Sequence, residues 1–300
     1  MVTRYQDVLL GTAEEFINYL SPMESRWDLG TYIYRGQGDS TYTLTPSVCR
    51  KGEGSFAYGS AMRMFGDTSR SQVSFEMEIV KKFLAGCDSA GLVIPGYDER
   101  LKQFFRFDSE IFLSDPREWP FVLLYEVLAA AQHHGVPTRL LDWSKRSFVA
   151  AYFAASSANQ NTYASHKISV WALNTSSSQA WQRLRIIDPP GGTSKNLAAQ
   201  SGIFTMQVNS DLYDDLYRLI PLEDEDEIYS FEKDVPPFAL YKISLPVSEV
   251  PKLIQLCAKF GVSGTTLFPG YEGVAKDVQE WAKEQVGMRI QLNEEAYSES

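Results

Sequence analysis

The residues of this chain that could carry chemistry fall at three places. The first is Arg35, in the run Thr31-Tyr32-Ile33-Tyr34-Arg35, where alternation reads as a strand ending in the glycine-rich turn Gly36-Gln37-Gly38-Asp39-Ser40. A guanidinium at such a strand end can fork onto a phosphate or a carboxylate with two donors. The alternative is a buried ion pair with Asp142 or Asp39. The second place is the elbow Thr138-Arg139-Leu140-Leu141-Asp142-Trp143-Ser144, which puts an Arg, an Asp and a Ser together. The third is Glu272, which Gly270 and Gly273 bracket in a tight turn of the kind that aims a functional side chain inward; the alternative is a solvent-facing turn residue or a cap for the last helix. His133 and His134 are adjacent, so they point to different sides of a helix, and His166 is the only other histidine, which argues against a metal site. Either of the pair can touch a ligand at the helix end, or serve capping and packing.

The elements that must position these groups are legible in outline. From Phe121 to His134 apolar residues fill most of the helical wheel, and Gly135-Val136-Pro137 ends the helix. A second apolar helix is expected from about Ser147 to Ala155. Arg139, Asp142 and Ser144 therefore lie between two core elements, where each needs a partner. The structural reading is that Asp142 or Ser144 caps the second helix and Arg139 pairs with a carboxylate.

Elsewhere Thr12 and Glu15 form a capping box for a helix through Leu20, with Phe16, Ile17 and Leu20 inward. Residues 50–70 read as a long surface loop. Helices are expected over Ser74–Ala85 and around Asp98–Phe107, in a helical insertion of about 71–118. Lys167 to Leu173 alternates like a half-buried strand, and Asp188 to Ser194 reads as a surface loop rather than a phosphate cradle, lacking the spacing of a P-loop. Glu223 to Glu227 reads as a solvated acidic run and a candidate interaction site. Ser248 is expected to cap a helix, and Val278 and Trp281 to anchor the last one before an acidic tail over 292–300. The fold class expected is α+β, one domain with a core over about 31–285. Its mixed, largely antiparallel sheet is built from Tyr32–Arg35, Arg139–Leu141, Lys167–Leu173, Ile203–Val208 and Phe238–Leu245.

A net charge of −10 over 300 residues argues against general coating of nucleic acid, because nonspecific binding rests on neutralising phosphates. Three scattered cysteines suit a reducing cytoplasm. No signal peptide is visible and no apolar run approaches the length of a membrane span, so a cytoplasmic protein without membrane contact is expected.

The segment Gly135-Val136-Pro137-Thr138-Arg139-Leu140-Leu141-Asp142-Trp143-Ser144, followed by Val149-Ala150-Ala151-Tyr152-Phe153-Ala154, closely resembles the FRG domain, a largely bacterial family named for an aromatic-Arg-Gly motif. Here that motif is Tyr34-Arg35-Gly36, and Leu267-Phe268-Pro269-Gly270-Tyr271-Glu272-Gly273 fits in the expected order. The resemblance covers about Ile33 to Val278, with Ser147 standing where a proline is expected. The aromatic-Arg-Gly strand and the later VAxxFA helix are also similar, more distantly, to arginine-type mono-ADP-ribosyltransferases. That second likeness implies a split-sheet fold binding NAD, with Arg35 on phosphate or ribose and Ser144 or Asp142 near the nicotinamide ribose. Tyr34, Gly36, His134, Thr138, Arg139 and Trp143 would complete the NAD site. The family's catalytic glutamate has two competing counterparts. Gln200 has the right order along the chain but is an amide, and Glu272 has the right chemistry but comes later. Loss of nicotinamide builds positive charge at the ribose, which a carboxylate stabilises.

The resemblances together imply an NAD-dependent ADP-ribosyltransferase-like effector or NAD glycohydrolase. Such an effector would be a bacterial toxin or anti-phage component acting on a protein, RNA or DNA acceptor, with an antitoxin or inhibitor as partner. The rival class is a noncatalytic module that binds a nucleotide or RNA in the same cleft, or a partner protein through the acidic run.

Overall fold

The structure, a computed structural model, describes residues 5–29, 31–50, 68–107, 115–158, 166–176, 178, 182–209, 220–225 and 239–298. Its centre is β2 (Tyr32–Gln37), which alternates Tyr32 and Tyr34 on one face with Ile33 and Arg35 on the other. One open sheet of seven strands forms around it, in the order β1 (Gln6–Leu9), β7 (Leu240–Pro246), β4 (Lys167–Asn174), β2, β3 (Leu140–Ser144), β6 (Gly202–Gln207) and β5 (Leu184–Ile187). Among the described strands only the β1–β7 pair is parallel. The α+β class and the largely antiparallel sheet are thus as expected. β1 and β5, of four residues each, are additions that short sequence windows did not signal.

Three apolar clusters hold helices and loops on this sheet. On one face Tyr32, Tyr34, Ile168, Val170 and Ile243 pack under α1 (Ala13–Leu20), with the expected Thr12–Glu15 capping box, and under α5 (Ser147–Ser156) and α7 (Val250–Lys259). Further along that face Leu140, Phe204 and Met206 meet α2 (Ser69–Ser89), α3 (Glu99–Phe107) and α4 (Tyr125–His133). The opposite face buries Ile33, Leu141, Trp143, Trp171 and Leu173 with Leu44 and Leu222. Each large side chain so buried contributes roughly 1.5–3 kcal/mol.

Several expectations are corrected. β4 is buried on both faces rather than half-buried, because Trp171 and Leu173 have their own apolar cover. β2 runs through Gln37, so Gly36 is a strand residue and Gly38 the bend just after it, and neither has positive φ. They are glycines for a different reason: a Cβ on Gly36 would lie 2.0 Å from the Ala150 carbonyl oxygen, and one on Gly38 2.3 Å from that of Ser157. α5 rests directly on the β2 backbone. Neither Asp142 nor Ser144 caps α5, whose N-cap residue is Arg146. Ser248 lies in a 3-10 turn and the N-cap position of α7 falls to Glu249, whose carboxylate accepts from the Ala13 amide (2.9 Å). Within the acidic run Glu223 and Glu225 are buried rather than solvated; Glu223 accepts from the Leu44 amide (2.9 Å) and Glu225 from the Gln207 side chain (3.0 Å). Residues 226–227 of that run, 51–67 of the expected surface loop, and 299–300 of the tail lie outside the described residues. Glu272 and Tyr271 open a helix, α9 (Tyr271–Ser298), after the short α8 (Gly264–Leu267), and Val278 and Trp281 are exposed on α9 instead of anchoring it.

Candidate functional site

β2 and β3 share a single register pair, Tyr34↔Ser144, whereas β2 and β4 stay paired over six positions. Where β2 and β3 part, Arg35 reaches across. Its Nη1 donates to the main-chain carbonyl of Asp142 (2.7 Å) and lies 3.6 Å from the Asp142 carboxylate. The Arg35 side chain is only 13% exposed, and its Nε is buried with no hydrogen-bond partner. Burial pushes the guanidinium pKa down, Asp142 pulls it back up, and the positive charge of nearby Arg50 lowers it again. Two cations thus share the neighbourhood of one carboxylate. Arg35 is not at a strand end, as its motif suggests, but at a fork in the sheet.

The elbow explains how Asp142 is held. Its Oδ2 accepts from the Gln132 side chain (2.8 Å), which also points at the Leu140 carbonyl (3.4 Å). Gln132 in turn accepts from the Thr138 hydroxyl (2.8 Å), and the Thr138 amide donates to Ser47 Oγ (3.1 Å). The carboxylate remains 54% exposed. It reaches Thr138 only through Gln132.

Beside Asp142 is a cavity of about 50 Å³, lined by His133 and Ala129 of α4, Asp142, Phe204 of β6, and Ser194 and Gln200, which flank α6 (Lys195–Ala199). Small residues make the room: Ala129, Ala130 and Gly202 all face it. A space of this size admits a few waters or one small group, well under the ~300 Å³ at which ordinary ligand pockets begin. His133 Nε2 stands 2.9 Å from Asn196 Nδ2. The amide nitrogen can only donate, so Nε2 accepts and the ring proton sits on Nδ1 in the neutral form. Burial lowers the His133 pKa, His134 lowers it further, and the charges of Glu272 and Asp142 raise it.

The proposed site residues therefore separate. Asp142, Gln200 and Trp143 border the cavity, Arg35 contacts Asp142, and Glu272, exposed in the first turn of α9, acts electrostatically on His133. The Gln200 amide donates to the Leu267 carbonyl (3.1 Å). Ser144 donates to the Gln200 carbonyl (2.7 Å) and accepts from the Arg146 amide (3.0 Å), bracing the end of β3. The Trp143 indole donates to Thr205 (2.8 Å) on the other side of the sheet. Tyr34 packs edge-on to Trp27 (5.6 Å), and Gly36 lies under α5. His134 is exposed. Arg139 is buried in a two-pronged pair with Glu76 (2.6 and 2.7 Å). Gln132, Asn196 and Arg50 belong to the site without having been singled out, and of the histidine pair it is His133 that lines the cavity.

Among the described residues no three His, Cys, Asp or Glu side chains could together hold a metal ion, and no helix is long and apolar enough to cross a membrane. No curated protein and no solved structure matches the chain. Arg35, Arg50, Gln132, Thr138, Asp142 and Ser144 all fall within residues 30–163, and that stretch matches the family model of the FRG domain.

Proposed function

We propose that the fork at Arg35 binds the phosphates of NAD and that the chain is an ADP-ribosyltransferase-like effector, with a protein or nucleic-acid acceptor. The observation that carries this is Arg35 itself: a guanidinium with a buried, unpartnered Nε, beside Arg50 and opposite a half-exposed carboxylate, has donors to spare for an anion. These residues fit a phosphate. NAD, when bound, supplies a ribose carbon with nicotinamide as its leaving group. Arg35 and Arg50 hold and orient the anionic part, the Gln132–Thr138 bracket fixes Asp142, and Glu272 contributes negative charge on the His133 side, where positive charge on the ribose would develop. Gln200 is a poorer choice, because its amide is occupied by Leu267. The cavity takes at most a small group, so the rest of a dinucleotide has to lie along the fork outside it. Three buried thiols, none of them in a disulfide among the described residues, suit a cytoplasmic setting. An antitoxin docking on the acidic run has less to hold than the sequence suggests, since Glu223 and Glu225 face inward.

A noncatalytic nucleotide- or RNA-binding module is the second reading. The exposure of Glu272 favours it, because Asp142 is then the only carboxylate among the described residues that line the cavity. Incubation with NAD, with nicotinamide release and NAD binding measured side by side, separates the two. Transfer chemistry requires release that Glu272→Gln cuts by about 100-fold or more at unchanged affinity. Binding without release supports the module, and neither binding nor release ends the transferase reading and restricts the module to a ligand other than NAD.

A further inference from the structure

The Asp142 carboxylate is held in place without being spent on Arg35. Arg35 donates to the main-chain carbonyl of Asp142 (2.7 Å), whereas the carboxylate oxygen Oδ2 stands 3.6 Å from Arg35 Nη1, outside hydrogen-bond range, and accepts from Gln132 (2.8 Å) instead. Gln132 lies on α4 and is itself fixed by the Thr138 hydroxyl (2.8 Å), while the Thr138 amide is tied to Ser47 Oγ (3.1 Å). Side chains from three segments of the chain thus aim a carboxylate that is 54% exposed and borders the cavity. A plain counter-ion for Arg35 needs none of this bracing. Among the described residues the other carboxylate oxygen has no hydrogen-bond partner, which keeps it for a donor from outside.

The charges around Arg35 point the same way. Among the described residues those that act on it are Asp142, which favours its positive form, and Arg50, which disfavours it. Arg50 is anchored by its Nε on the Thr45 carbonyl (3.0 Å). Two cations against one carboxylate leave a single positive charge to be matched. Attraction to such a site grows in proportion to a ligand's charge, whereas the cost of stripping its water grows with the square, so an anion with one charge per phosphorus suits the fork better than a dianion. A phosphate within hydrogen-bonding range of Arg35 lies about 5 Å from the Asp142 carboxylate, where a second negative charge is repelled. The carboxylate can only accept, so whatever sits beside the phosphate has to donate, as a hydroxyl does and a phosphate oxygen does not. The cavity beyond has room for one such group.

We infer that Asp142 is the specificity-determining residue of the fork. It admits a phosphodiester or pyrophosphate whose neighbour is a hydroxyl-bearing sugar, and it turns away a terminal phosphate. The inference rests on the reading of Arg35 as a phosphate-binding residue and adds to it the class of phosphate that is accepted.

Titration calorimetry with ADP-ribose and ADP tests it, on the parent, Asp142→Asn and Asp142→Ala. Both ligands carry adenosine and a pyrophosphate, and neither has a nicotinamide to lose. They differ at the far end, where ADP-ribose has a sugar and ADP a terminal phosphate that takes a second charge at about pH 8, above its second pKa of about 6. The parent should bind ADP-ribose at least about tenfold more tightly than ADP. Both variants should shrink that preference by about tenfold, ADP gaining while ADP-ribose holds or weakens. Asp142→Ala guards against the new amide of Asp142→Asn acting as a phosphate donor. A preference that both variants leave unchanged, with both ligands still weakened by Arg35→Lys, overturns the inference and leaves the fork a phosphate site. A parent that favours ADP overturns it as well. A parent that binds neither ligand ends the reading of the fork itself, and the inference with it.

Discussion

Arg139 and Arg35 each meet a carboxylate, and the two meetings are opposites. Arg139 is 2% exposed and Glu76 6%, and they engage through two parallel hydrogen bonds. Glu76 also accepts from the Gln72 side chain (2.8 Å) and the Trp119 indole (3.0 Å), while Arg139 Nη1 reaches Asn209 (3.2 Å). Every charge in that cluster is compensated, as burial demands. Arg35 touches Asp142 through one nitrogen, leaves Nε without a partner, and faces a carboxylate that water can reach. A saturated pair fixes architecture: Arg139 ties the start of β3 to α2. An unsaturated one keeps its donors for something else. Two arginines of one chain can thus be told apart by their unused donors.

Glu76→Gln attacks the saturated pair and should have the largest effect. Arg139 would be left buried without a counter-charge, which costs about 3–5 kcal/mol, and the urea midpoint should fall accordingly. A loss below about 1 kcal/mol would erase the contrast, since it would mean that Arg139 finds water or another anion.

Arg35→Lys attacks the unsaturated partner and should leave stability within about 1 kcal/mol of the parent while weakening binding of NAD at least tenfold. Lysine keeps the charge but loses the fork. Equal loss of stability in Arg35→Lys and Glu76→Gln would make both arginines structural.

Asp142 sharpens the comparison at smaller scale. Asp142→Asn keeps an acceptor for Gln132 and should cost less than Asp142→Ala, which leaves that amide only its long contact with the Leu140 carbonyl, a loss of about 1 kcal/mol. Identical melting temperatures for the two variants would show that the Gln132–Thr138 bracket does not depend on this side chain.

Much of this was legible in the sequence where local rules decide. The Thr12–Glu15 capping box, the two apolar helices around the elbow, and a carboxylate partner for Arg139 follow from spacing and from the cost of burying charge. What escaped depends on partners distant in the chain. Gly36 was recognisable as special, but its reason, the Ala150 backbone pressed against it, appears only once α5 lies on β2. Glu223 and Glu225 look like solvated acids until Leu44 and Gln207 supply their donors. Arg35 could be selected from its motif, but the fork that leaves its Nε unpaired results from the one-position pairing of β2 and β3, and no residue type encodes that.

The smallest expected effect lies at His133, and it asks whether the cavity shares the reserve of the Arg35 fork. Burial and His134 hold the folded-state pKa of His133 below its ordinary value, although Glu272 and Asp142 act in the opposite direction. In the unfolded chain the ring takes its proton first as pH falls. The unfolded state then binds more protons than the folded one, so His133's contribution to stability is intact above about pH 6.5 and is lost progressively below it. The ring is only part-buried, so solvent tempers the effect. The melting temperature of the parent should therefore fall more steeply between about pH 7 and 5.5 than that of His133→Gln, which cannot titrate. Parallel profiles would mean that His133 is as free to charge as in water. The Asn196 contact would then not keep a neutral imidazole beside Asp142, and the cavity would be an ordinary packing gap, unlike the fork next to it.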